Sequence, residues 1–347
     1  MNMSISTIIS TAFGRRTNSE AANVISRESK FPEVTEAPLD TRRLIRNRRY
    51  CHVLSKHHDI DFDDVSIACA WKAFQHEMAF VPAGSVRLMQ DAVIELDRRY
   101  SLSQYAGVQM AVDSFYIDRD CTTNADYARF VQAGGYDMPQ LWPQDTLPWV
   151  LQFVDRTGHT GPRFWSDGNP PSDKLDHPVV GICWYEASAY ARWAGKRLPT
   201  SSEWQRAGTW PQSHSGGGME QRYPWGNAFE RSRVSLWKQN HCQTVPVDAL
   251  PSGNTPNGVR QLVGNVWEWL DERYSPANEG EVKVILEETM AEIRGGAFDT
   301  YFVSQANCHF RTGQPTLNRR ANIGFRCCIS SKDVNSPATK DVVKDKE

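Results

Sequence analysis

Several features that would place a protein in a class at once are missing from this chain. It has no run of 18 apolar residues, so no membrane-spanning helix is expected. Its net charge is only −2, which gives no electrostatic reason to expect nucleic acid or an anionic membrane as a partner. The arginines near the N-terminus follow the short apolar stretch at 5–13, whereas a secretory signal places its positive charge first. We therefore expect a cytoplasmic protein.

Cysteine and tryptophan are both well represented. The 347 residues include eight cysteines, an even number that would suit disulfides in a secreted protein. Without an export signal, reduced thiols are expected instead. Most of the twelve tryptophans fall between Trp142 and Trp269, among many glycines and prolines. This distribution indicates a fold that packs large rings between irregular segments.

Composition divides the chain into four zones. Residues 1–40 and the tail 331–347 are polar and are predicted to be disordered. Residues 41–77 are predicted to form a short helical extension, with a basic run at 41–49 followed by a second helical pattern. The basic run is either a docking surface for a partner protein or a solvated helix face. Its arginines are Arg42, Arg43, Arg46, Arg48 and Arg49.

Helix and strand patterns are mixed in the main zone, residues 78–330. Short apolar runs predict strands at 78–84 and 112–118, and helical spacing predicts helices at 123–132 and 185–193. Thr200 and Glu203 have the spacing of a capping box, which predicts another short helix. The pattern as a whole predicts an α+β domain with much ordered loop.

A series of short motifs follows in a fixed order along this zone. They are FVPAG at 80–84, FYID at 115–118, TNADYARF at 123–130, HPVV at 177–180, ARWAGKRLPT at 191–200, YPWGN at 223–227, GNVWEW at 264–269, RGG at 294–296 and NIGFR at 322–326. In this order they resemble the formylglycine-generating enzyme superfamily, which carries the sulfatase-modifying factor domain. The resemblance implies a C-type-lectin-like core with much irregular structure and a site near the C-terminal segment.

The motif GNVWEW is a candidate calcium site. Asn and Glu side chains together with backbone carbonyls are the hard oxygen ligands that calcium prefers, although a Trp-lined turn of the core would have the same sequence. The resemblance implies a structural calcium here, bound by the carbonyls of Gly264 and Val266 and the side chains of Asn265 and Glu268. A second calcium is not expected, because the stretch 235–243 is short and lacks Asp.

The copper site of the superfamily is only half present. Formylglycine-generating enzymes oxidise a substrate cysteine with O₂ and hold copper(I) between two cysteines five positions apart. The second position matches Cys308, but the first is Val303. Because copper(I) prefers soft thiolates and one thiolate is a poor site, standard formylglycine generation is not expected. Cys308 remains the predicted catalytic residue and a predicted ligand of copper or iron, against the alternative that it is a small apolar core residue.

Other branches of the superfamily suggest iron chemistry or a different substrate. Ergothioneine-pathway sulfoxide synthases bind iron through histidines of an N-terminal bundle, and members similar to pyoverdine-maturation proteins act on an aromatic ring without the cysteine pair. The histidines available near the N-terminus lack the spacing of a metal site, so solvated or packed side chains are favoured. They are His52, His57, His58 and His76.

By resemblance, the residues after RGG line a substrate groove. They are Asp299, Thr300, Tyr301, His309 and Arg311. The sequence thus predicts an O₂- and metal-dependent oxidoreductase acting on a peptide, a small thiol or an aromatic substrate. The alternative is a non-catalytic module that binds a ligand or a protein on the same scaffold, which the missing first cysteine and the short N-terminal zone favour. Nucleic acid is not an expected partner.

Overall fold

Seven α-helices are present in the part of the chain that the computed structural model describes, residues 39–57, 60–96, 99–209, 220–238, 242–274, 277–278, 286 and 288–336. They are α1 Leu39–Arg46, α2 Cys51–Leu54, α3 Asp64–Glu77, α4 Asn124–Gln132, α5 Leu147–Val150, α6 Trp184–Trp193 and α7 Ser201–Thr209. No helix in these ranges is long and apolar enough to cross a membrane.

Ten strands within the same ranges form three sheets. They are β1 Met78–Val81, β2 Gly84–Leu96, β3 Arg99–Val112, β4 Phe115–Asp118, β5 Trp267–Arg273, β6 Ala277–Asn278, β7 Met290–Arg294, β8 Arg311–Pro315, β9 Ile323–Gly324 and β10 Cys328–Ser330. The strand orders are β1-β4-β10, β3-β2-β6 and β8-β7-β5-β9. The mixture of helix, strand and loop confirms the predicted α+β class. The long antiparallel hairpin of β2 and β3 lies in a stretch for which the motifs carried no prediction.

Capping residues start the helices where the sequence predicts them. At α4, the Thr123 hydroxyl accepts from the Asp126 amide, and the Asp126 carboxylate accepts from the Thr123 amide. At α7, the Thr200 amide donates to the Glu203 carboxylate over 2.9 Å, and the Glu203 amide donates to the Thr200 hydroxyl over 3.2 Å. These reciprocal bonds satisfy amides that have no partner inside the first helical turn.

Helices α1 to α3 pack on the main domain rather than beside it. Tyr50 and Phe74 are buried and meet edge to face, with ring centroids 5.9 Å apart. They share one hydrophobic cluster with Met78 of β1, Ile329 of β10 and Val334. Burial of these side chains on both sides of residue 77 couples the predicted extension to the sheet β1-β4-β10. Disorder was predicted for residues 1–40 and 331–347. This is wrong for the described ends of those stretches, because residues 39 and 40 belong to α1 and Val334 is buried in this cluster; residues 1–38 and 337–347 lie outside the described ranges.

The motif GNVWEW is a turn followed by a strand. Gly264 and Asn265 have positive φ angles of 85° and 68°, and β5 begins only at Trp267. A side chain at Gly264 would place its Cβ 2.8 Å from the carbonyl oxygen of Ser235, so the close approach of two backbones requires glycine. Trp267, Glu268 and Trp269 are all buried, because both faces of β5 are covered.

Candidate functional site

Cys308 lies inside the core rather than in an open groove. It is fully buried among residues that include Leu262, and the Sγ atom would be 2.6 Å from a Cβ added at Gly208 of α7. Its carbonyl accepts a hydrogen bond from the Arg294 guanidinium over 3.1 Å. Burial raises the pKa of the Cys308 thiol to about 12, with the nearby Arg294 charge opposing the shift only in part. The thiol is therefore protonated at neutral pH, which is unfavourable for a nucleophile.

The described residues offer no site with three or more protein ligands for copper or iron. No group of three or more His, Cys, Asp or Glu side chains in these ranges could hold a metal. His52 is 2.9 Å from the carbonyl of Trp193, His57 is 3.1 Å from Asp333, and His76 is 2.9 Å from Glu77. These three histidines are therefore dispersed among separate partners, and His58 lies outside the described residues. All eight cysteines are free.

The predicted substrate groove divides into solvent-facing and anchored side chains. Asp299 accepts two hydrogen bonds from the Asn322 side chain, at 2.9 and 3.1 Å. The Thr300 hydroxyl is buried and accepts from the Ala297 amide over 2.8 Å. Tyr301 is 67% exposed, and its ring contacts the rings of Phe302 and Trp237, which are also exposed. Tyr301 is therefore the predicted groove residue most open to a ligand.

His309 and Arg311 are held by carboxylates. His309 lies 3.6 Å from Glu220, a residue that sequence reasoning did not single out. Arg311 pairs with the buried Glu292 over 3.1 Å and covers the ring of Tyr274. These contacts favour an anchoring role for both side chains.

The side chains of the predicted calcium loop are already engaged by protein groups. Both oxygens of Glu268 accept from the Arg326 guanidinium, over 2.8 and 2.7 Å. The same carboxylate accepts from the Trp204 indole over 2.8 Å and from the Cys121 thiol over 3.3 Å. Glu268 would have to leave a buried ion pair to reach calcium.

Asn265 is committed to the backbone in the same way. Its side-chain oxygen accepts from the Val245 amide over 3.0 Å, and its side-chain nitrogen donates to the Val245 carbonyl over 3.1 Å and to Gln261 over 2.6 Å. The two side chains therefore do not fit a calcium ion in this arrangement, because a cationic guanidinium already occupies the carboxylate.

The basic run at 41–49 is only partly available to a partner. Arg48 forms ion pairs with Glu77 at 3.1 Å and Asp126 at 2.9 Å. Arg49 donates to the Trp193 carbonyl over 2.8 Å and covers the ring of the same residue. Two of the five arginines thus bind the extension to the main domain.

A cavity of about 430 Å³ lies beside the predicted groove, and no sequence motif indicated it. Its wall includes Phe298 and Ala321, which directly neighbour Asp299 and Asn322 in the chain. The remaining lining residues are Asn124, Arg156, Phe164, Trp165, Pro171, Lys174, Pro178, Val180, Cys242, Gln243 and Thr244. Residues from widely separated parts of the chain form this cavity, so no local spacing could have revealed it.

Comparison with known proteins gives the family. The sulfatase-modifying factor enzyme 1-like domain matches residues 68–331. The chain is 33% identical over 207 residues to hercynine oxygenase of Mycolicibacterium smegmatis, which covers 56% of this chain and 45% of that protein. It is 30% identical over 253 residues to the inactive C-alpha-formylglycine-generating enzyme 2 of Mus musculus, covering 64% and 77%. It is also 30% identical over 259 residues to the formylglycine-generating enzyme of Streptomyces coelicolor, covering 61% and 77%.

Among solved structures, CarF aligns with a TM-score of 0.47 and 20% identity, covering 73% of this chain and 98% of CarF. The chain spans 45% of the length of the mycobacterial relative named above, so that protein contains much that this alignment leaves out. The family match confirms the resemblance drawn from the motifs and agrees with a C-type-lectin-like core. The chain belongs to the sulfatase-modifying factor family.

Proposed function

We propose that this chain is an O₂-using oxidoreductase that acts on a small thiol, an aromatic compound or a peptide, and that it is not a standard formylglycine generator. The similarity to proteins named oxygenase and formylglycine-generating enzyme supports oxidative chemistry. Val303 at the first copper position argues against the cysteine-pair site, because a single thiolate is a poor ligand set for copper(I).

The cavity beside the groove is the observation that carries this proposal. Its wall includes Phe298, and the next residues of the chain, Asp299 to Tyr301, end in an exposed aromatic ring. A volume of about 430 Å³ is within the usual size of small-molecule sites, and apolar walls with a few polar groups are typical of them. We place the substrate in this cavity.

The metal is assigned to no residue. The described side chains form no cluster of three or more ligands for copper or iron. Cys308 is the residue that the sequence predicts as a metal-bound thiolate, whereas its contacts in the structure favour a packing role.

Elemental analysis tests the proposal. The protein is purified from its own host, reloaded anaerobically with copper and iron, and its metal content is measured per chain. About one equivalent of a redox metal supports the oxidoreductase, and no bound copper or iron contradicts it. Cys308→Ala distinguishes the two roles of that residue. Loss of the metal with the fold intact would identify Cys308 as a metal ligand, whereas unchanged metal content would identify it as a core residue only.

The alternative function is a ligand-binding module without redox chemistry. The dispersed histidines and the absence of a metal-capable cluster within the described ranges favour it, as does similarity to a relative named inactive. Calcium-free, metal-free protein that still binds a ligand in the cavity would support this alternative.

Docking of a partner protein on the 41–49 run is a separate and weaker proposal. It would have to use the N-terminal part of the run, since Arg48 and Arg49 are engaged with the main domain. Neutralising Arg42, Arg43 and Arg46 would then abolish capture of the partner, whereas retained capture would identify the run as a solvated helix face. The cytoplasmic location stays a prediction.

A further inference from the structure

The wall of the cavity carries charge of one sign only. Arg156 and Lys174 line it, and no Asp or Glu does. Neither cation forms an ion pair with a carboxylate within the described ranges. The ammonium of Lys174 donates instead to the neutral side chain of Gln243 over 3.2 Å, and Arg156 lies over the ring of Phe164. Asp173 and Asp176 flank Lys174 in the chain, but neither lines the cavity, so the two cations give the wall a local positive potential that attracts anions.

The carboxylate of Asp155, next to Arg156 in the chain, already accepts hydrogen bonds from backbone amides. Asp155 is buried, and its two oxygens accept from the amides of Thr157, His159 and Gly168 at 2.8, 3.1 and 2.8 Å. Despite its burial it stays ionised, because these hydrogen bonds lower its pKa, but it forms no ion pair with Arg156 in the described part of the chain. The side chain of Asn124 is also committed, because it accepts from the Trp165 indole over 2.9 Å and donates to the Lys174 carbonyl over 2.9 Å.

The rest of the wall suits an apolar or planar body. Phe164, Trp165 and Phe298 supply rings, and two prolines, Pro171 and Pro178, make the wall stiff. Rings recognise flat or thioether-like groups by stacking and edge contacts. The combination selects a molecule with a compact apolar part and one negative group.

We propose that this cavity binds a small organic anion, a carboxylate or sulfonate on a compact apolar body, between Arg156 and Lys174. That such an anion is the substrate rests on the proposed function. That such an anion binds here rests on the cavity alone.

Calorimetry with matched probes tests the binding. Benzenesulfonate supplies the anion on an aromatic body, and benzamide supplies a similar body without charge. The full chain is expected to bind benzenesulfonate at millimolar concentration or better, and benzamide much more weakly. Arg156→Gln with Lys174→Gln is expected to weaken the sulfonate at least about tenfold. Arg163→Gln is the matched control, because Arg163 covers the same Phe164 ring without lining the cavity.

The thiol of Cys242 reports whether the probe is in this cavity. Six of the eight cysteines are buried, and only Cys69 and Cys242 are half-exposed. In a Cys69→Ser background, the neutral reagent 2,2′-dithiodipyridine should modify Cys242 first. Bound benzenesulfonate should slow that reaction several-fold, and benzamide should not.

The outcomes separate this inference from the proposed function. Equal binding of both probes, no binding of the sulfonate, unchanged affinity in the double variant or no protection of Cys242 would each overturn the anion site. A redox metal without anion binding would leave the oxidoreductase standing with its substrate elsewhere. Anion binding without a redox metal would overturn the oxidoreductase and keep the site.

Discussion

The interior around Glu268 and the wall of the cavity use charge in opposite ways. Glu268 and Arg326 are both wholly buried, and each is satisfied by the other and by groups such as the Trp204 indole. Arg156 and Lys174 face the cavity without a carboxylate partner in the described part of the chain. The buried pair stabilises the interior, whereas the two cations of the cavity wall remain available to bind a ligand. The sequence motifs by themselves do not distinguish these two uses of charge.

Breaking the buried pair should give the largest effect. Arg326→Met leaves the Glu268 charge buried without its partner, which should reduce the free energy of unfolding by about 3–5 kcal/mol. Urea unfolding measures the loss. Adding Glu268→Gln removes the unpaired charge and should recover part of it. A single-variant loss below about 1 kcal/mol would show that the two side chains do not form the pair described.

Replacing the core thiol should give the next effect. Cys308→Ser places a hydroxyl in the apolar surroundings of Leu262 and Gly208 and should cost about 1–3 kcal/mol of unfolding free energy. Cys308→Ala, which adds no polar group, should cost less. The thiol should also resist alkylation at pH 8 in the native protein, because burial raises its pKa to about 12. Rapid alkylation of Cys308 in the folded protein would restore it as a reactive site.

Much of the fold was predictable from local patterns. The helices α4, α6 and α7 begin at or next to the predicted positions, because capping residues such as Thr123 and Thr200 act within one turn. The GNVWEW motif was recognisable in the sequence, but the buried ion pair of its glutamate was not. The partner of Glu268 is Arg326, 58 positions further along the chain, and no spacing rule pairs them.

The candidate site was predictable only where one segment forms it. Tyr301 is exposed beside the RGG motif, and its place in a substrate groove stays a prediction. The burial of Cys308 depends on Gly208 in a distant helix, and the cavity joins residues from Asn124 to Ala321. Tertiary packing of this kind leaves no periodic trace in the sequence.

A smaller effect is expected at His177, next to the cavity wall. Partial burial and the positive charge of Lys174 lower the pKa of His177, whose Nδ1 is 3.0 Å from the Thr244 hydroxyl. The folded state thus binds this proton less strongly than the unfolded state. Its contribution to stability is complete above the unfolded pKa of about 6.5 and is lost as the pH falls below it.

Lys174→Gln removes one cause of that shift and should raise the pKa of His177, as should a bound anion. NMR titration of the imidazole measures both. Arg163→Gln should leave the titration unchanged. If neither Lys174→Gln nor the bound anion changes the pKa of His177, the ammonium of Lys174 lies away from the cavity wall.

The smallest expected effect is that of calcium. Because Glu268 is occupied by Arg326, chelation of calcium should leave the unfolding temperature unchanged, and added calcium should not raise it. Differential scanning calorimetry with and without chelator measures this. A rise in unfolding temperature with calcium concentration would show that Glu268 leaves the ion pair to bind the metal.

Substrate-dependent O₂ uptake tests the proposed oxidation and the anion site together. Metal-loaded protein is given 2-mercaptoethanesulfonate or the neutral 2-mercaptoethanol, and the protein-free rate is subtracted. Uptake should be faster with the anionic thiol than with the neutral one. The double variant Arg156→Gln with Lys174→Gln should lose at least about tenfold of that uptake rate. Its free energy of unfolding should stay within about 0.5 kcal/mol of the wild type. No protein-dependent uptake, or equal uptake with both thiols in the wild type and the double variant, would contradict the account.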